Sequence, residues 1–77
     1  MPYTRTAELP LTAALVSRGH KLQATDRDRN GRLYFIFKQT DELTKDIDSY
    51  WADSLVVKAR TYSDNIKMLK SRIYSGE

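Results

Sequence analysis

The sequence predicts an α+β fold in which a β-hairpin packs against three helices, in the order α-β-β-α-α, as one small domain over residues 1–77. Three observations predict it. Asn30-Gly31 stands between two extended runs, KLQATDR and RLYFIFK, and Asn-Gly is the strongest short-range hairpin signal. Apolar residues recur at helical spacing once before this hairpin and twice after it. Thr6, Gly19 and Thr40, residue types suited to helix ends, lie where the periodic stretches begin or stop.

The first helix is expected from Thr6, an N-cap hydroxyl, to about Arg18. Glu8 and Pro10 fall in its opening turn, where a carboxylate and a missing N–H are best tolerated. Leu11, Ala14, Leu15 and Arg18 make one stripe, widened by Leu9, Ala13 and Val16. Gly19 is the expected left-handed stop, and Arg18, His20 and Lys21 place positive charge by the helix's negative end.

With Asn30-Gly31 as a two-residue type I′ turn, Arg27 faces Tyr34, Thr25 faces Ile36 and Ala24 faces Phe37. Leu22, Ala24, Leu33, Phe35 and Phe37 then share the core face, which turns acidic at the tip with Asp26 and Asp28. The opposite face carries Lys21, Gln23, Thr25, Arg27, Tyr34, Ile36 and Lys38.

Thr40 caps the second helix, with Asp41 and Glu42 against its positive end. Leu43, Ile47, Tyr50 and Trp51 form its apolar face, which places Trp51 in the core. Leu55, Val56 and Val57 read either as a short third strand or, the preferred reading, as a loop pinned onto the core. The third helix runs from about Ala59 to Tyr74, with Tyr62, Ile66, Leu69 and Ile73 inward and a basic outer face.

The succession AELPLTAALVSRGHKL, GRLYFIFK, TDEL, SYW and IKMLKSRIY resembles a family of small proteins of bacteria and their phages that has no established activity. The resemblance spans residues 3–74, and its most recognisable pieces are Gly19-His20-Lys21-Leu22, Tyr34-Phe35, Tyr50-Trp51 and Arg72-Ile73-Tyr74. It implies a phage or mobile-element setting and assigns no functional residue.

Composition narrows the function. The chain has no cysteine, which removes disulfides and thiolate metal sites and suits a reducing cytoplasm. LYFIF and LVV are too short to span a bilayer, and MPYTRTAELP lacks a signal-peptide core, so a cytoplasmic protein without a membrane partner is expected. The net charge of +3 is segregated, with an acidic segment at residues 40–53 between two basic ends.

DRDRNG places Asp26, Asp28, Asn30 and Gly31 at positions 1, 3, 5 and 6 of a calcium loop. Position 12 is Phe37, which offers no oxygen, and Arg27, Arg29 and Arg32 crowd the would-be cation; a turn is the better reading. No metal site and no cofactor are expected. With His20 the sole histidine and no glycine-rich phosphate cradle, no catalytic residues and no small-molecule substrate are expected either.

The expected function is that of a small non-catalytic binding or accessory protein, acting by protein–protein contact or as a homodimer. Its candidate interface is Tyr34 and Ile36, on the hairpin face that the helices need not cover. Tyr3, Trp51 and Tyr74 are further candidate aromatic anchors. The alternative is a DNA- or RNA-binding accessory protein. Its candidate contacts are Arg27, Arg29 and Arg32 at the hairpin tip, the corner of Arg18, His20 and Lys21, and Arg60, Lys67, Lys70 and Arg72 on the last helix.

Overall fold

The computed structural model describes residues 2–75 and runs β1 (Tyr3–Thr6), α1 (Leu9–Ser17), β2 (Leu22–Arg27), β3 (Leu33–Lys38), α2 (Asp41–Trp51) and α3 (Ala59–Tyr74). The fold is α+β, with a three-stranded antiparallel sheet in the order β1-β3-β2. The element order is therefore β-α-β-β-α-α, one strand more than expected. That strand, Tyr-Thr-Arg-Thr, is too short to announce a period of two and draws its stability from a partner distant in sequence. Thr4 pairs with Phe37, Arg5 with Ile36 and Thr6 with Phe35. β1 thus covers the edge of β3 that a bare hairpin would expose. As the last residue of β1, Thr6 does not cap α1; its hydroxyl accepts from the Glu8 N–H at 3.1 Å in the link, and the helix starts at Leu9 with Pro10 in its first turn.

The hairpin turn is longer than the expected type I′ pair. Asp28 and Arg32 close it, with the Asp28 N–H donating to the Arg32 carbonyl at 3.1 Å and the Gly31 N–H donating to the Asp28 carbonyl at 3.0 Å. Among the three loop residues only Gly31 has positive φ, +85°, which makes this a type I turn closed by a glycine bulge; a type I′ turn needs positive φ at Asn30 as well. The Asp28 carboxylate selects it, accepting from the N–H of Asn30 at 2.9 Å and of Arg32 at 3.0 Å.

One extra loop residue moves the register by one and exchanges faces along β2. Thr25 pairs with buried Phe35 and Arg27 with buried Leu33, whereas Ala24 and Asp26 join Ile36 and Tyr34 on the outer face. A bulge between Leu22 and Ala24 restores parity, so Leu22 still lies opposite Phe37 and packs on the core.

The three helices cover the Phe35 and Phe37 face. Leu11 and Leu15 of α1, Leu43 of α2 and Leu69 of α3 meet Leu33, Phe35 and Phe37 in one buried cluster. α1 is enclosed on nearly all sides, with Leu11, Thr12, Ala13, Ala14 and Leu15 all buried, and α2 and α3 both pack on it. Its end is a Schellman motif. The Gly19 N–H donates to Val16 and the His20 N–H to Leu15, with Gly19 at φ +99°, as the glycine there predicts. Thr40 caps α2 through the Leu43 N–H at 3.0 Å, and Asp41 and Glu42 lie in its first turn. Residues 54–58 form a loop, so Leu55, Val56 and Val57 do not make the third strand.

Candidate functional site

The uncovered side of the sheet carries the two residues expected at an interface. Tyr34 and Ile36 both point outward from β3, yet both are half-buried. Arg5 of β1 reaches across the central strand, its guanidinium 3.7 Å from the Tyr34 ring centroid and 3.4 Å from the Asp26 carboxylate on β2. An exposed ion pair of this kind contributes little by itself, but it occupies the ring face that a base or a partner would use.

The ten basic candidates do not form one surface. Arg27 turns from the hairpin tip toward the end of α3, where it donates to the carbonyls of Gly31 at 2.7 Å and Ile73 at 3.1 Å. Arg18 and His20 converge on Asp46 of α2. The His20 Nε2 lies 2.7 Å from one carboxylate oxygen, and Arg18 approaches the other at 3.3 Å while also donating to the Val56 carbonyl at 3.1 Å. Lys21, Arg29, Arg32, Arg60, Lys67, Lys70 and Arg72 are exposed and make no ion pair among the described residues. At about 100° per residue Arg60, Lys67 and Lys70 share one side of α3, and Arg72 lies on another.

An open, largely apolar cleft lies at the surface between the end of α2, the 54–58 loop and the start of α3. Ala14 of α1 lines it, with Tyr50 and Trp51 from α2 and Tyr62 from α3; Leu55 and Val57 come from the loop, and Asp53 stands in the link from α2. The cleft measures about 390 Å³. The Tyr50 and Trp51 rings meet edge to face, with centroids 5.0 Å apart and planes at 85°. Trp51 is not in the core: it is 62% exposed, and the adjoining Val56 is 75% exposed. Burial, the negative charge of Glu8 and the neighbouring Tyr62 together raise the Tyr50 hydroxyl pKa above its ordinary value.

Asp53 owes its place to backbone geometry. α2 ends in a second Schellman motif, in which the Asp53 N–H donates to Tyr50 at 3.0 Å and the Ser54 N–H to Ser49 at 2.8 Å. The left-handed position of such a motif ordinarily holds glycine; here Asp53 occupies it at φ +58°.

A family model described as a domain of unknown function (DUF5659) matches residues 1–75. The chain belongs to that family. No curated protein and no solved structure matches it. No helix described in this DUF5659 chain is long and apolar enough to cross a membrane.

Sequence reasoning on the DUF5659 chain missed the cleft because Trp51 shares helical spacing with core residues. The signal was at the edge of the stripe: at about 100° per residue Trp51 lies about 80° from Leu43 and about 100° from Tyr50, on the rim of the apolar face, and an acid rather than a glycine stands at the left-handed stop. Asp53→Gly is accordingly expected to raise stability by about 0.5–1 kcal/mol, read from chemical denaturation, because it removes a side chain from left-handed backbone. A decrease would mean that the carboxylate itself stabilises the link.

Proposed function

We propose that the chain is a small non-catalytic binding protein of the cytoplasm that acts by protein–protein contact. The bacterial or phage setting implied by its resemblance belongs to the same proposal. The observation that supports it is the aromatic and aliphatic surface of the cleft, where exposed Trp51 stands with Tyr50, Tyr62, Leu55 and Val57. Isolated apolar residues on a surface need no explanation, but a contiguous group with tryptophan and tyrosine at its centre is the composition that contact sites favour.

The test is capture from extract of the native host, followed by binding of the purified partner to wild type and variants. Trp51→Glu is expected to weaken that binding at least about tenfold, as loss of an interface tryptophan does. A partner held equally well by the variant would place contact elsewhere. Self-association through Tyr34 and Ile36 is the narrower form of the proposal, and a Tyr34→Glu change that splits a dimer in light scattering supports it.

The nucleic-acid reading is supported by the exposed Arg29 and Arg32 at the hairpin tip and by Arg60, Lys67 and Lys70 on α3. Its test is affinity for DNA or RNA that falls steeply with salt and drops further in Lys67→Glu and Lys70→Glu variants.

A further inference from the structure

We propose that the α2–α3 cleft receives the lysine or arginine side chain of a protein partner. This rests on the protein-binding reading and adds the chemistry of the group that enters. A lysine or arginine side chain has an apolar stem and a cationic head, and the cleft offers a counterpart to each.

Ala14 and Tyr62 line the cleft along with the perpendicular rings of Tyr50 and Trp51, apolar and aromatic surface of the kind that attracts a cation over its faces. The lining contains one ionisable acid, Asp53, and no lysine, arginine or histidine. A second carboxylate, Glu8, lies close enough for its charge to act on the Tyr50 hydroxyl. The Arg18 guanidinium is bonded to Asp46 and the Val56 carbonyl and does not line the cleft, and Lys58 and Arg60, at the start of α3, are exposed and stand outside the lining. The negative end of α2 and the positive end of α3 both border the site and offset each other, so the side chains set its sign. Within the lining that sign is negative, set by Asp53 alone.

Asp53 supplies an independent observation. It keeps a carboxylate in the lining of the cleft at φ +58°, a position that glycine occupies with less strain. The exposed acids Asp41, Glu42 and Asp48 extend the same field along α2, with Lys45 the one base among them. A basic segment approaching along α2 would be drawn toward the cleft before its side chain enters.

The experiment uses the intact chain, whose single tryptophan stands in the site and reports on it directly. Trp51 fluorescence and amide shifts are followed during titration with three probes: a short glycine-flanked lysine peptide, the same peptide with norleucine, and free butylammonium. The expected result is that the lysine peptide shifts the amides of Ala14, Tyr50, Asp53 and Tyr62, with the norleucine peptide about five- to thirtyfold weaker. Asp53→Asn, which keeps a residue type tolerant of left-handed backbone, is expected to remove that preference while leaving norleucine binding unchanged. Equal binding of lysine and norleucine would overturn the cationic ligand and leave an apolar contact site standing. Butylammonium binding as tightly as the peptide would overturn the protein source. Shifts confined to the exposed face of α2, or none with any probe, would overturn the site itself, and the partner-binding test with Trp51→Glu decides the broader reading separately.

Discussion

Replacing Phe35 by alanine is expected to lower the stability of the protein by about 3–5 kcal/mol. Phe35 is fully buried on the central strand, paired with Thr6 on one side and Thr25 on the other. It belongs to the single cluster in which Leu11 and Leu15, Leu43, and Leu69 bring all three helices onto the sheet. Truncating a buried phenylalanine costs about 3–5 kcal/mol, the transfer of the ring plus the cavity it leaves. A chain of 77 residues is held by roughly 4–12 kcal/mol in total, so the loss runs from about a quarter of the stability to all of it. Urea titration followed by circular dichroism checks this, and Phe35→Leu, which keeps most of the volume, should cost less than about 1.5 kcal/mol. Tyr74→Ala, at the far end of α3 and largely exposed, should stay within about 0.5 kcal/mol of wild type. A Phe35→Ala protein that retained its midpoint would mean that the cluster does not join the layers.

The contrast between Phe35 and Trp51 shows what the sequence could and could not carry. Helix boundaries written in local chemistry were legible: Thr40 before α2, Gly19 after α1, and the inward row Tyr62, Ile66, Leu69 and Ile73 of α3 all stand as their spacing predicts. Phe35 and Phe37 were legible as core because either register of the hairpin buries them. The β2 register was not, since it turns on whether the Asp28 carboxylate takes the N–H groups of Asn30 and Arg32. That choice adds one loop residue and sends Ala24 outward and Thr25 inward.

Long-range pairing hid the rest. β1 is four residues whose partners lie some thirty positions away, as Thr4 opposite Phe37 shows, and no local period marks it. The aromatic cleft needs α1, α2 and α3 together, so Tyr50, Trp51 and Tyr62 read in isolation look like core. Of the basic candidates, Arg18, His20 and Arg27 prove to have partners that only the fold brings near: Asp46 for the first two, and the end of α3 for the third.

Asp46→Ala is expected to cost about 2–3 kcal/mol at neutral pH, the range for charge-assisted bonds whose partner is left unmatched. Asp46 is 13% exposed and His20 15%, so both lie mostly out of water; Arg18 is 42% exposed and contributes less, because solvent screens it. Burial pushes the Asp46 carboxyl up, but the hydrogen bonds from His20 and Arg18, with their charges, outweigh it and hold the pKa below the ordinary 3.8. Because the folded value lies below the unfolded one, the carboxylate stabilises the fold fully above pH 3.8, and this contribution fades as pH falls through the folded value. Glu42 and Lys45, one of each sign, line a shallow surface pocket together with Arg18, His20 and Asp46. Asp46→Asn keeps the shape and removes the charge. The stability difference between wild type and Asp46→Asn, from urea titrations at about pH 6.5 and about pH 2.5, should therefore shrink in acid, while contributions from every other carboxylate cancel. A difference that stayed constant between the two would assign the coupling of α1 to α2 to packing around Asp46 rather than to its charge.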